Sequence, residues 1–268
     1  MTSLAALAPS APLPLPLTAA GDREVPSSFL LATDVSATSG PTIWPPHHHE
    51  EHALIWTDRG IATMRVADRQ WTLPPGIGLW IPRGTVHEGY TQDRADVRTT
   101  YIAPESWDRE WTRPTAVTLN PAVRHLLLHA KRSPMSAVER RRAQQVCIDM
   151  LTRTGAPLLE VPLPQDPRLT PLVTAILRDP ADDRSLEQWA AMLHMTARTL
   201  TRVFAADIAL SFARWRRVVR MCAAVGLLAE GMSVKATARH VGYRTTSSFV
   251  SAFRKTLGYT PGELPARL

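Results

Sequence analysis

The sequence predicts an α+β protein: a β-barrel in its first half, a pair of helices, then an all-α region built of two tandem helix-turn-helix units. Three observations lead there. From Phe29 to about Ala103, short strand-like runs are separated by turn signals. From Arg168 to the end the apolar pattern is helical, with no convincing strand. Within that region Ser185–Asp207 and Ser233–Leu257 repeat one design. An Ala (Ala190, Ala238) sits in a short apolar-periodic helix, a tight turn follows at His194-Met195 or Gly242-Tyr243, and a second helix opens on Thr or Ser. The small residue lets two helices cross closely, and the short turn fixes their angle.

The elements follow in order. Residues 1–25, including Ala11–Leu17 (APLPLPL), are Ala/Pro-rich and predict a disordered tail. Residues 26–115 form the barrel, with strands at His52–Thr57, Ile61–Ala67, Arg69–Pro74, Gly78–Pro82 and Val97–Ala103. Arg59-Gly60, Pro75-Gly76 and Arg83-Gly84 punctuate them; many short strands with regular turns favour a barrel or sandwich over a βαβ fold. Residues 116–165 carry helices over Asn120–Lys131, with Pro at the first helical position, and over Ser136–Arg153, with Arg140–Arg142 on one side. Their apolar residues form either a dimer interface or a face packed on the barrel. Gly155–Pro167 holds four prolines and is expected to connect two domains, the second spanning 166–268.

Charge is divided unevenly. Residues 184–268 carry 13 Lys/Arg against 4 Asp/Glu, while residues 1–183 carry 18 against 20. A basic module on a near-neutral body suits a nucleic-acid reader, though a merely basic soluble surface gives the same count. Cys147 and Cys222 fall in separate apolar helical patterns, which predicts buried free thiols rather than a disulfide framework or zinc site. No apolar run approaches the ~20 residues of a membrane span, and the N-terminus lacks the basic region of a signal peptide; a cytoplasmic chain is expected.

Two stretches resemble a cupin barrel of the kind found in AraC-type regulators. His47-His48-His49-Glu50-Glu51-His52, with Gly60 eight residues on, is similar to the HxH…G opening of a cupin. Gly76–His87, ending Pro82-Arg83-Gly84-Thr85-Val86-His87, is similar to its G…PxGxxH closing motif. The resemblance implies that His47, His49 and His87 match metal-ligand positions for a divalent transition metal. The carboxylate usual in cupin metal sites is missing, its positions being Ala53 and Leu54; His52 or Glu51 are the available substitutes. Imidazoles at i and i+2 on a strand share a face, and a third from a facing strand completes three-nitrogen ligation of Fe, Mn, Ni or Zn. A histidine-lined pocket without metal satisfies the same pattern. Trp44, Trp56, Trp71, Trp80 and Trp107 supply core, with room for one or two in an effector pocket.

From about Asp182 to Leu268 the chain resembles the AraC/XylS DNA-binding domain. The residues carrying this include Ala190, Arg198, Leu200, Phe204, Trp215 and Arg220, then Gly242-Tyr243, Ser247, Phe249, Phe253-Arg254, Gly258 and Thr260-Pro261. The pairing of Ser211–Arg216 (SFARWR) with a preceding cupin further resembles the NimR-like branch. The resemblance implies an effector- or metal-responsive transcription regulator that binds double-stranded DNA, as a homodimer and in the vicinity of RNA polymerase. The residues expected to face DNA are Thr196, Arg198, Thr199 and Arg202 in the first reading helix, and Arg244, Thr245, Thr246, Ser248, Ser251 and Lys255 in or before the second. Arg reads guanine bidentately and Ser/Thr serve bases or phosphates, so position alone leaves base and phosphate contacts open. Ser211–Gly231 is expected to be a helix about 30 Å long, close to the ~34 Å turn of B-DNA, holding the reading helices one turn apart. The competing reading is a metal-dependent cupin enzyme with a helical appendage, against which the missing carboxylate counts.

Overall fold

The computed structural model describes residues 29–132, 134–153 and 160–266. The expected tail over 1–25 and residues 154–159 of the connection lie outside the described residues. The chain divides into two compact units. One runs to Val66 and resumes from Leu73 up to residue 153; the other takes Ala67–Thr72 and residues 160–266.

In the first unit the strands fall into two antiparallel sheets, with no single sheet closed upon itself among the described residues. The larger has the order β1 (Leu31–Thr38), β8 (Ala95–Ile102), β3 (His52–Thr57), β6 (Ile77–Ile81), β9 (Thr115–Thr118), β10 (Thr152–Arg153). The other includes β4 (Ala62–Val66), β7 (His87–Thr91) and β2 (Thr42–His47), in that order. β1 pairs with β8 along its whole length, from Leu31↔Ile102 to Thr38↔Ala95. β3 is buried on both faces, which explains why it reads as the nearly continuous apolar run HALIWT rather than as alternation. Gly60 turns the chain between β3 and β4 with φ +72°, and a Cβ there would stand 2.5 Å from the Arg94 carbonyl oxygen. Only glycine is accommodated.

Two helices cover the larger sheet. α1 (Pro121–Arg132) starts where the Asn120 side chain accepts the Val123 N–H at 3.0 Å. α2 (Ala137–Met150) starts with a capping box between Ser136 and Glu139. Val123 and Leu127 of α1 and Cys147 and Ile148 of α2 join Leu54, Trp56, Trp80, Ile102 and Val117 in one apolar cluster. Buried Gln144 clamps the start of β1: it accepts from Leu30 N–H at 2.9 Å and donates to the Leu31 carbonyl at 2.7 Å. α2 stops at Met150, three residues before the expected end. The Arg109 guanidinium gathers the carbonyls of Ile148 (3.0 Å), Asp149 (2.9 Å) and Leu151, and Thr152–Arg153 then pair with β9. Val138, Val146 and Met150 of α2 are exposed instead of packed on the sheet.

The second unit begins with a pair of strands. β5 (Arg69–Leu73), a strand where one was expected, pairs antiparallel with β11 (Glu160–Pro162), braced by a 2.6 Å Arg69–Glu160 ion pair. The proline-rich connection is therefore partly a strand; Pro162 is tolerated because β11 is an edge. Val161 and Leu163 enter the helical core with Leu172 and Ile176 of α3 (Thr170–Arg178), Trp189 of α4 (Leu186–Met192), Phe204 of α5 (Ala197–Ile208) and Trp215 of α6 (Phe212–Ala229). The Trp215 indole N–H donates to the Pro162 carbonyl at 2.7 Å, satisfying a donor in a fully buried ring. α7 (Val234–His240) and α8 (Thr246–Leu257) pack against α6 and against each other, and Phe253 meets Phe249 and Tyr259 edge to face at 5.6–5.7 Å. α6, at 18 residues, is about 27 Å long, slightly shorter than expected because Ser211 caps its start and Glu230 its end. Both cysteines are buried free thiols, as expected, and burial pushes each up to a pKa of about 12. No helix among the described residues is long and apolar enough to cross a membrane.

Candidate functional sites: two reading helices and a histidine cluster

The two helix-turn-helix units share one hydrogen-bond scheme. After α4 the Met195 N–H returns to the Ala190 carbonyl at 2.8 Å; after α7 the Tyr243 N–H returns to the Ala238 carbonyl at the same distance. The residue between is left-handed in both, His194 at φ 53° and Gly242 at φ 82°. This is a Schellman closure, which ends one helix and aims the next. Each second helix is then capped by a threonine. Thr196 accepts from the Thr199 N–H at 3.0 Å and Thr245 from the Ser248 N–H at 3.2 Å. The side-chain oxygens of Thr196 and Thr199 lie 2.8 Å apart, as do those of Thr245 and Ser248. These four residues of the expected DNA face thus have a structural task at the helix starts. Thr196, Arg198, Arg202, Arg244, Thr245, Thr246, Ser248, Ser251 and Lys255 are exposed, and Thr199 is half-buried. The inner faces carry Leu200 and Phe204 in α5, Phe249 and Phe253 in α8, all fully buried.

Arg220 of α6 ties the two units together. Its guanidinium donates to the Pro180 carbonyl at 2.8 Å and the Asp182 carbonyl at 3.1 Å, ahead of α4, and lies 5.7 Å from the Tyr243 ring centre. Arg216 likewise donates to the Arg184 carbonyl at 2.8 Å, and Arg184 stacks 3.8 Å over Trp189. Arg216 and Arg220 are thus partners of backbone within the chain. The Arg184–Trp189 stack was not anticipated; nothing in the spacing marked it.

His47, His49 and His87 converge in the first unit, offering one ligand atom each within 4.8 Å of one another. His47 and His87 are cross-strand partners at the end of β2 and the start of β7, with ring centres 4.4 Å apart. His49 was expected on the same strand face as His47. It lies two residues past the end of β2, in a loop held where the Gly84 N–H meets the His49 carbonyl at 2.8 Å. The β2 register shift between Trp44 and His47 breaks the simple alternation.

Two imidazoles are oriented by backbone carbonyls. His87 Nδ1 lies 2.9 Å from the Thr85 carbonyl and His47 Nδ1 lies 2.7 Å from the Pro45 carbonyl. A carbonyl only accepts, so Nδ1 carries a proton in both rings and Nε2 is the nitrogen left for a ligand. His87 Nε2 is buried without a hydrogen-bond partner. Burial, and next the neighbouring histidines, push the His87 pKa down to about 3 against the pull of the Thr85 carbonyl, so the ring stays neutral. A buried, neutral, oriented nitrogen lone pair suits a metal ion. The suggested substitutes do not join the three: His52 stacks on Trp80 at 4.7 Å, and its Nδ1 accepts the Arg83 N–H at 3.2 Å. Glu51 is likewise outside the group. Trp80 also stacks on Trp107 at 3.9 Å and meets Trp111 edge to face at 5.8 Å.

The AraC-like ligand binding domain matches residues 38–134, and the helix-turn-helix domain of the HTH_18 type matches 189–267. The chain is 31% identical to the HTH-type transcriptional regulator NimR of Escherichia coli K12 over 227 residues, 84% of this chain and 83% of that one. It is 29% identical over 212 residues to the HTH-type transcriptional regulator RipA of Corynebacterium glutamicum, covering 78% of this chain and 60% of RipA. Among solved structures, the DNA-binding domain of AdpA in complex with a target DNA is similar at 27% identity, covering 37% of this chain and 90% of that one with a TM-score of 0.35. The chain belongs to the AraC-type family of transcriptional regulators, in the NimR-like branch, with a helix-turn-helix DNA-binding domain and a ligand-binding domain.

Proposed function

We propose that this regulator binds operator DNA through α5 and α8 and adjusts that binding in response to a small molecule or metal held near His47, His49 and His87. The duplicated turn-and-cap geometry carries the reading, because it presents both second helices with their N-terminal ends uncovered. The division of labour is a sensor over 26–115, a helical dimerisation and linking region over 116–165, and a DNA reader over 166–268. Thr196, Arg198, Thr199, Arg202, Arg244, Thr245, Thr246, Ser248, Ser251 and Lys255 supply the contacts. Exposed Val138, Val146 and Met150 on α2 supply the face for a homodimer partner. The protein acts in the cytoplasm, beside RNA polymerase at a promoter, as a sensor and not as a cupin enzyme.

The three imidazoles would hold a divalent transition metal through nitrogen alone, and such a metal would offer open positions to an effector. Footprinting of the full chain on its own promoter region tests the DNA reading: a discrete salt-sensitive protected site is expected, and protection spread evenly over the duplex would reject it. Metal analysis of purified wild type and His87→Ala tests the sensor. Loss of bound metal in the variant is expected, and equal metal content in both would reject the site.

A further inference from the structure

We infer that the two reading helices do unequal work: α5 carries the base sequence, reading guanines with Arg198 and Arg202, while α8 grips the backbone of a loosely specified half-site. This rests on the proposed DNA-reading function. The two helices can be matched residue by residue without appeal to sequence likeness. Each has a threonine cap, a third residue whose N–H bonds that cap, buried residues at the fourth and eighth positions, and a left-handed C-cap, Ala209 or Gly258. On this frame the second and sixth positions point outward. α5 places Arg198 and Arg202 there; α8 places Ser247 and Ser251, and all four are exposed.

Reach decides what such residues can do. A reading helix enters the major groove with its N-terminal half, and from there Arg spans to guanine O6 and N7 with two donors. Serine has one short hydroxyl and serves any base or a phosphate. The long cations within α8 come later, Arg254 and Lys255 at its ninth and tenth positions, where α5 has Ala205 and Ala206, while exposed Arg244 stands ahead of the threonine cap, where the first unit has Met195. Ser247, Val250, Ser251, Arg254 and Lys255 line one open groove, so the α8 charges flank the hydroxyls on the side away from the helix start. Cations there suit phosphates, which fix register without carrying sequence. The expected operator has one half-site with guanines at fixed positions and a second half-site that tolerates most base changes.

Selection of bound duplexes from a random library by the full-length protein tests this. Wild type should enrich one half-site with fixed guanines and leave the other weakly constrained. Arg198→Ala and Arg202→Ala should each erase the preference at one guanine, a discrimination of about 5- to 150-fold. Arg254→Ala and Lys255→Ala should keep the enriched sequence and lower the slope of log affinity against log salt by about 1 each. Ser247→Arg should add a constrained base in the loose half. Equal constraint in both halves, or an enriched sequence unchanged by Arg198→Ala and Arg202→Ala, would overturn the inference. No enrichment at all would instead sink the DNA-reading function. All five positions are exposed, so unchanged thermal unfolding midpoints show that each variant folds.

Discussion

The two helix-turn-helix units reach the same backbone path with different residues at nearly every position where the path is difficult. His194 holds the left-handed turn in the first and Gly242 in the second; Ala209 and Gly258 hold the left-handed C-caps of α5 and α8. Trp189 fills the buried position before the crossing Ala in α4, and Thr237 the matching one in α7. What is shared is the set of backbone and cap hydrogen bonds, together with the aromatic or aliphatic residues behind them. The comparison teaches that the geometry of reading is set by those bonds and by the inner face. The outer face is then free to differ in chemistry.

The comparison can be tested from its strongest shared feature downward. Phe204→Ala and Phe253→Ala remove matching fully buried rings and should each lower unfolding free energy by about 3–5 kcal/mol. A denaturant titration showing one of them nearly neutral would break the equivalence of the two inner faces. The turn residues should diverge next. Gly242→Ala forces φ 82° on a residue whose Cβ would stand 2.9 Å from the Ala181 Cα, so a loss of roughly 2–4 kcal/mol is expected. His194→Gly relieves a strained non-glycine turn and should change stability by less than about 1 kcal/mol, upward. Thermal unfolding that ranks these two the other way would mean the turns are not equivalent. The caps come last: Thr196→Ala and Thr245→Ala should each cost about 1 kcal/mol, measured by the same unfolding experiment, and by similar amounts if the caps do the same job.

Much of this was legible in the sequence because local signals and tertiary need coincide. His52–Thr57 was delimited to the residue, and the other four strands to within about two, since Gly60, Gly76 and Gly84 all take positive φ at the turns between them. The reader units were legible because Ser185, Thr196, Ser233 and Thr245 are all helix caps with periodic apolar faces after them. The histidines were legible as a group, but not their support. The Thr85 and Pro45 carbonyls that orient His87 and His47 each lie two residues upstream, and a carbonyl leaves no trace in side-chain pattern. β11 was hidden because prolines mask strand propensity; its place depends on Asp68, Arg69 and Trp215, far away in sequence. The end of α2 was hidden for the same reason, being set by Arg109 some 40 residues earlier.

Arg220 has a consequence for evolution of the binding site. One side chain grips the loop ahead of α4 and rests against Tyr243 at the mouth of the second unit. Its replacement by a shorter residue would leave each motif's taste for bases intact while loosening the distance kept between them. A lineage could thereby drift toward promoters whose half-sites are spaced differently, without relearning a single letter of either.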